Sequence, residues 1–172
     1  ISTLLTKVSK NIGVIRRVSK VLPADVLRTL YNTMIMPYLE YCNIAWATNK
    51  TVMLDKLFIL QKKAVRIVTA SRWNAHTAPL FREKRILKIC DINILQVSSF
   101  MYKSINNLLP TSFANYFVLN KNIHHYNTRY KEDIHLIHFR TNLRGSCIRI
   151  YGPKVWNAIP ESIQNLKSFN AF

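Results

Sequence analysis

Apolar residues recur at steps of three and four over the first part of the chain, which is the spacing of one face of an α-helix. The clearest case is the third predicted helix, over residues 51–70, whose apolar side chains fall on one face and whose basic side chains fall opposite. The same pattern predicts a first helix over residues 4–22, again with a cationic side. Because each apolar face must be buried, these helices are expected to share a core.

Prolines and an aspartate predict the ends of the remaining helices. A second helix is expected over residues 23–34, because Pro23 suits a first helical turn, and Pro37 then bends or ends it. A short basic helix is predicted over residues 79–89. A fifth helix follows over residues 91–108 with Asp91 as its N-cap, and another short helix is predicted over 111–118.

The pattern changes near Leu119, where a polar stretch is followed by two segments of strand-like composition. These segments are residues 134–139 and 147–151, and Gly145 lies in the connection between them. Gly152-Pro153 is typical of a turn. The sequence therefore predicts a β-hairpin with a long connection in this part of the chain.

The predicted fold class is mainly α, a helical bundle with a small C-terminal β-hairpin appendage. The predicted domains are a helical domain over residues 1–119 and an appendage over residues 120–172, with the hairpin and a short helix that starts at Pro160. The chain begins with Ile1 inside a helical pattern, so we expect it to be a piece of a longer protein.

Charge narrows the choice of partner. The 172 residues include 25 Lys and Arg but only 8 Asp and Glu, for a formal net charge of +17, and 49% hydrophobic residues exclude a disordered basic tail. Residues 1–90 hold 16 of the basic and 4 of the acidic side chains. A field of this size attracts polyanions. Nucleic acid is the leading expected partner, and an anionic membrane surface is the second.

The cationic helix faces supply the candidate binding residues, because eight acids cannot neutralise most of these charges. The predicted nucleic-acid contacts are Lys10, Arg17 and Lys20 of the first helix, Lys62, Lys63 and Arg66 of the third, and Arg140, Arg144 and Arg149 of the hairpin. Lys7 and Lys56 share the same polar faces. Four aromatic residues are further candidates for stacking on bases: Tyr31, Tyr38, Trp46 and Trp73.

Catalytic motifs are sparse. The only adjacent acids, Glu132 and Asp133, lie in a polar loop-like stretch, whereas two-metal catalysis needs clustered carboxylates. The glycines are isolated, so no phosphate-binding loop is predicted. Five potential zinc ligands fall within 24 residues: His124, His125, His135, His138 and Cys147. Strand alternation would place His135 and His138 on opposite faces, which argues against zinc.

Cysteine usage and apolar run lengths predict the compartment. Three widely spaced cysteines are typical of a reducing environment, so an intracellular location, nuclear or cytoplasmic, is expected. The apolar runs are shorter than the ~20 residues that a membrane span needs. No membrane span is therefore predicted.

Several segments together resemble one family. They are, in order, residues 22–31 (LPADVLRTLY), 36–46 (MPYLEYCNIAW), 57–68 (LFILQKKAVRIV), 76–81 (HTAPLF), 127–129 (NTR) and 152–160 (GPKVWNAIP). This combination resembles the region after the palm domain in reverse transcriptases of non-LTR (LINE-type, jockey-like) retrotransposons. The resemblance covers nearly the whole chain in the family's order.

The resemblance implies the thumb and C-terminal region of an RNA-directed DNA polymerase, which holds the template–primer. Its implied partners are RNA, an RNA–DNA duplex and the palm domain of the parent chain. The family's catalytic Asp-Asp motif, which binds Mg²⁺, is absent from this sequence. The chain alone is therefore expected to be non-catalytic and to hold no cofactor. Two alternatives stay open: an amphipathic membrane-surface or protein-interaction module, and a metal-dependent enzyme in its own right.

Overall fold

Helices make up most of the described protein, as the apolar periodicity predicts. The computed structural model describes residues 2–48, 52–113, 115–123, 126, 128–166, 168–169 and 171–172. It divides into unit 1, Ile1–Asn93, and unit 2, Ile94–Phe172. The division into domains after residue 119 stays a prediction.

The described helices follow the predicted order in unit 1. They are α1 (Ser2–Val18), α2 (Ala24–Met34), α3 (Met36–Glu40), α4 (Asn43–Trp46), α5 (Val52–Val68) and α6 (Thr77–Glu83). α7 (Ile89–Ile105) begins in unit 1, and unit 2 continues with α8 (Asn142–Gly145), α9 (Ile148–Asn157) and α10 (Glu161–Gln164). Short 3-10 turns cover Thr111–Phe113 and Asn120–Asn122. Among the described residues, no helix has both the length and the apolar character needed to cross a bilayer.

α1 and α5 form the most extensive helix pair of unit 1 among the described residues. Their buried side chains repeat at helical spacing, and they meet in one core. The buried members are Val8, Ile12 and Ile15 of α1 and Leu54, Leu57, Gln61, Ala64, Val65 and Val68 of α5. The predicted common core of the first and third helices is confirmed.

The ends of α5 and α6 are each followed by a left-handed residue that is not glycine. Ala70 follows α5 with φ of 49°, and Arg85 follows α6 with φ of 51°. After α5, the backbone N–H of Ser71 donates to the carbonyl of Arg66 at 2.9 Å, which closes a Schellman-type end. After α6, the backbone N–H of Ile86 donates to the carbonyl of Phe81 at 2.9 Å in the same way, so α6 stops at Glu83, earlier than the predicted end at residue 89.

The predicted β-hairpin is wrong: residues 148–151 of its second segment belong to α9, and Gly152-Pro153 lies inside that helix. The buried side chains Ile150, Pro153 and Trp156 recur every three residues, which suits a helix face. A Cβ on Gly152 would lie 2.6 Å from the sulfur of Met101, so glycine permits close packing of α9 on α7. The dipeptide marks a helix contact and not a turn.

The first predicted strand segment also differs. Ile134 forms an isolated antiparallel bridge with Leu119, and residues 135–139 join no helix or strand in the described part of the chain. The Asn157 side chain of α9 holds this segment: Oδ1 accepts from the Ile134 N–H at 3.1 Å, and Nδ2 donates to the Ile134 carbonyl at 2.9 Å. The side-chain amide of Asn157 thus pairs with both backbone polar groups of Ile134, as a neighbouring strand would do in a hairpin.

Candidate nucleic-acid interface

An open groove of about 700 Å³ runs between α1 and α5. It is lined by Leu5, Thr6, Ser9 and Lys10 of α1 and by Lys56, Ile59, Leu60 and Lys63 of α5. Lys56 and Lys63 are seven residues apart, which is two helical turns or about 10.5 Å along the axis. The groove therefore combines an apolar lining with lysines from both helices, and Lys10, Lys56 and Lys63 are all exposed.

The groove lysines are not neutralised by the ion pairs that the structure describes. Those pairs join Lys84 to Glu83 at 2.8 Å and Lys121 to Glu132 at 2.7 Å. The acid nearest to the groove in sequence is the exposed Asp55, which enters neither pair. The positive charge of the groove is consequently free to act on an external anion.

Two predicted contacts of the third helix lie on a different side of α5. Lys62 Nζ lies 4.2 Å from the centroid of the Phe58 ring. Arg66 Nε donates to the carbonyl of Ala75 at 2.9 Å. Phe58, Lys62 and Arg66 follow each other at steps of four. From the centre of the groove residues of α5, Lys62 lies about 110° and Arg66 about 70° around the helix axis. The structure thus brings only Lys63 of this predicted triplet to the groove.

The first helix contributes its predicted residues unequally. Lys10 lines the groove, and the exposed Arg17 lies two turns further along the same face of α1. Lys20 is exposed in the turn after the helix. Lys56 lines the groove although it was not among the predicted contacts; its position on the polar face of the third helix was the available signal. Lys7 lies instead 6.0 Å from the Tyr38 ring.

The predicted contacts of unit 2 lie on other elements than expected. Arg140, Arg144 and Arg149 are exposed, but Arg144 belongs to α8 and Arg149 to α9 instead of a hairpin. The Arg149 guanidinium carbon lies 5.3 Å from the centroid of the Tyr116 ring. A shared hairpin face for these arginines is therefore excluded.

The four aromatic residues predicted to stack on bases differ in how far their side chains are exposed to solvent. Tyr31 is 0% exposed and belongs to the core, so it is unable to stack on a base. Tyr38 and Trp46 are half-buried, and Trp46 Nε1 donates to the carbonyl of Tyr41 at 2.9 Å. Trp73 is 87% exposed.

Gln61, inside the motif that carries the resemblance, is fully buried and joins three elements. Its Nε2 donates to the Tyr31 hydroxyl at 3.0 Å and to the Leu87 carbonyl at 2.8 Å. Its Oε1 accepts from the Ile89 N–H at 3.0 Å, so α7 starts at Ile89 and Asp91 lies within the first turn instead of at the N-cap. Burial raises the pKa of Tyr31 from 10.0 to about 12. Gln61 therefore has a structural role: it links α2, α5 and the start of α7.

The possible metal ligands are not assembled in the described part of the chain, where no three His, Cys, Asp or Glu side chains are arranged to hold a metal ion. His124 and His125 lie outside the described residues. His135 Nδ1 is 3.2 Å from Asn120 Oδ1. The hydrogen bond from Lys121 lowers the pKa of Glu132, so this acid is engaged in an ion pair.

Comparisons with protein-family models, with curated proteins and with solved structures find no match to this chain. Its function is therefore inferred from its own residues, above all from the groove between α1 and α5.

Proposed function

We propose that this chain binds a nucleic-acid duplex through the groove between α1 and α5. The observation that carries the proposal is the convergence of Lys10, Lys56 and Lys63 on one concave surface, outside the described ion pairs. Lysine ammonium groups contact phosphates as point charges and read no sequence. The proposed binding is therefore electrostatic and independent of base sequence.

The lining of the groove suits a sugar–phosphate backbone. Leu5, Ile59 and Leu60 supply apolar surface between the lysines, on which sugar carbons can pack. Arg17 extends the cationic face of α1 beyond the groove, and Lys20 follows it. In this proposal about five phosphates are engaged, three in the groove and two beyond it.

The proposed biological setting is the thumb-like segment of an RNA-directed DNA polymerase of non-LTR retrotransposon type. The motif segments described above support it, and the proposed ligand is then RNA or an RNA–DNA duplex. Mg²⁺ and the reaction belong, in this proposal, to the palm domain of the parent chain. This chain contributes binding and no catalytic residue.

The test measures the affinity of the chain for a blunt RNA–DNA duplex as a function of salt. For five phosphate contacts, log affinity should fall with log salt at a slope of about −4 to −5. The triple variant Lys10→Gln/Lys56→Gln/Lys63→Gln should reduce this slope to about −2. The matched control is a triple variant that replaces three exposed cations outside the groove, Arg28, Arg82 and Lys131, with glutamine. Its salt slope should be close to that of the wild type.

Equal losses of slope in the two triple variants would show diffuse attraction and contradict the groove. Vesicles that contain phosphatidylserine supply the competing anionic surface. Tighter binding of the wild-type chain to these vesicles than to the duplex, with the same dependence on the groove lysines, would replace the proposal with the membrane-surface alternative.

A further inference from the structure

Trp73 is held out into solvent on the connection between α5 and α6. Its side chain is 87% exposed, whereas Trp46 is half-buried and Trp156 is 6% exposed. Burying an aromatic side chain of this size removes 150–250 Å² from water. The fold leaves nearly all of this area uncovered at Trp73.

The connection that carries Trp73 is held by a set of hydrogen bonds. Trp73 and Asn74 are the central residues of a turn in which the Ala75 N–H donates to the Arg72 carbonyl at 3.0 Å. The Ala75 carbonyl in turn accepts from Arg66 Nε at 2.9 Å. Ala75 is thus bonded at both its N–H and its carbonyl, and the indole is presented by a fixed backbone.

The sequence on both sides of Trp73 is cationic. Arg72 is exposed beside it, and the sequence contains no acid between Asp55 and Glu83. A protein partner of ordinary charge gains little from such a stretch, whereas a nucleic acid offers both phosphates for the cations and bases for the indole. Stacking on an aromatic side chain requires an unpaired base, because a paired base is covered on both faces within the duplex.

We infer that Trp73 stacks on an unpaired base of a single strand that continues from the duplex held between α1 and α5. This inference rests on the proposed function and adds the form of the ligand, a duplex with a single-stranded extension. Arg66 acts here as a positioning residue for the turn, and Arg72 is placed to contact the adjacent phosphate.

The experiment compares a blunt RNA–DNA duplex with the same duplex carrying a single-stranded extension. The wild-type chain should bind the extended form more tightly. Trp73→Ala should weaken binding of the extended form about 5- to 100-fold and leave binding of the blunt form unchanged. Because no charge is removed, the salt slope of the variant should equal that of the wild type. Trp73→Phe, which keeps a ring, should recover most of the loss.

Intrinsic fluorescence gives an independent readout, since Trp73 is the most exposed of the three tryptophans. The extended duplex should quench the wild-type emission and should leave the emission of Trp73→Phe nearly unchanged. Equal binding of blunt and extended duplexes by the wild type and by Trp73→Ala overturns the inference, even where the groove variant behaves as proposed. An emission change with phosphatidylserine vesicles but not with the extended duplex overturns it too.

The two proposals fail separately. A normal salt slope in the groove variant contradicts the groove, while the preference for an extension reports on Trp73 alone. Because the Trp73 side chain is almost fully solvated, its substitution is expected to leave folding intact.

Discussion

Gln61 Oε1 accepts the hydrogen bond of the first N–H group of α7, that of Ile89, at 3.0 Å. The first N–H groups of a helix lack partners within the helix. Here a side chain from α5 satisfies one of them inside the core, while its amide nitrogen holds the Leu87 carbonyl and the Tyr31 hydroxyl. One buried side chain therefore fixes α2, α5 and the start of α7 in one arrangement.

Replacing Gln61 with leucine should lower the free energy of unfolding by about 2–4 kcal/mol, because the buried Tyr31 hydroxyl, the buried Ile89 N–H and the part-buried Leu87 carbonyl lose their partner. Urea unfolding, followed by circular dichroism, measures this change. Asn32→Ala, at an exposed position of α2, is the matched control and should stay within about 0.5 kcal/mol of the wild type. Equal stability of Gln61→Leu and the wild type would mean that the buried network contributes nothing.

Tyr31 gives the protein a dependence on alkaline pH. Burial raises the pKa of its hydroxyl from 10.0 to about 12, so the folded state disfavours the tyrosinate. The resulting contribution to stability is complete below pH 10 and is lost as the pH rises from 10 to about 12. Tyr31→Phe should show a shallower loss of stability in this window and should lack the last step of the tyrosinate absorbance titration. An unchanged titration curve would contradict the assignment.

Two neighbouring lysines of α5 should differ in their effect on binding. Lys63 lines the groove, whereas Lys62 lies over the Phe58 ring. Lys63→Gln should weaken duplex binding several-fold and reduce the magnitude of the salt slope by about 0.9. Lys62→Gln removes the same charge one position earlier and is the control, with a change of less than about two-fold. The reverse order would move the interface to the side of α5 that carries Lys62.

Gly152→Ala should destabilise unit 2, because its Cβ would lie 2.6 Å from the Met101 sulfur. We expect a loss of about 1–3 kcal/mol in the free energy of unfolding. Combining this change with Met101→Val, which withdraws the sulfur, should recover part of the loss. In a hairpin turn, Gly152 would have no reason to depend on Met101, so recovery also distinguishes the helix from the predicted hairpin.

Introducing a glycine at position 70 and removing the glycine at position 13 should both stabilise unit 1. Ala70 has φ of 49° after α5, so Ala70→Gly relieves a left-handed alanine and should add about 1 kcal/mol. Gly13 is exposed within α1, and a Cβ there meets no atom within 4 Å. Gly13→Ala should add about 0.5–1 kcal/mol. Thermal unfolding of each variant tests this pair, and a loss of stability in either one contradicts the backbone geometry at that position.

Helix spacing alone predicts much of unit 1, and its failures have local causes. The pairing of α1 with α5 follows from their apolar faces, which is why Lys10 and Lys63 could be named in advance. The difference between Lys62 and Lys63 could not, because it depends on which part of the polar face of α5 lies beside α1. The pairing of two helices that are distant in the sequence sets this, and the periodicity of one helix does not show it.

In unit 2, the same reasoning fails because residue preferences oppose the tertiary contacts. Glycine followed by proline favours a turn, and β-branched isoleucines favour a strand. Burial of Ile150 and Trp156 and the fit of Gly152 against Met101 outweigh both preferences. The role of Gln61 is not predicted for a related reason: two of its three partners, at Leu87 and Ile89, are backbone groups, which a sequence does not display.

Arg66 attaches the turn of Trp73 directly to the helix that carries Lys63. This hydrogen bond holds the backbone of the turn beside the last turn of α5, the helix that also lines the groove. In the proposed complex, a single strand that contacts Trp73 must be long enough to span the distance between the groove and the indole. Extensions too short to span it would leave the indole empty, so the number of unpaired nucleotides, and not their identity, would decide which ends are retained.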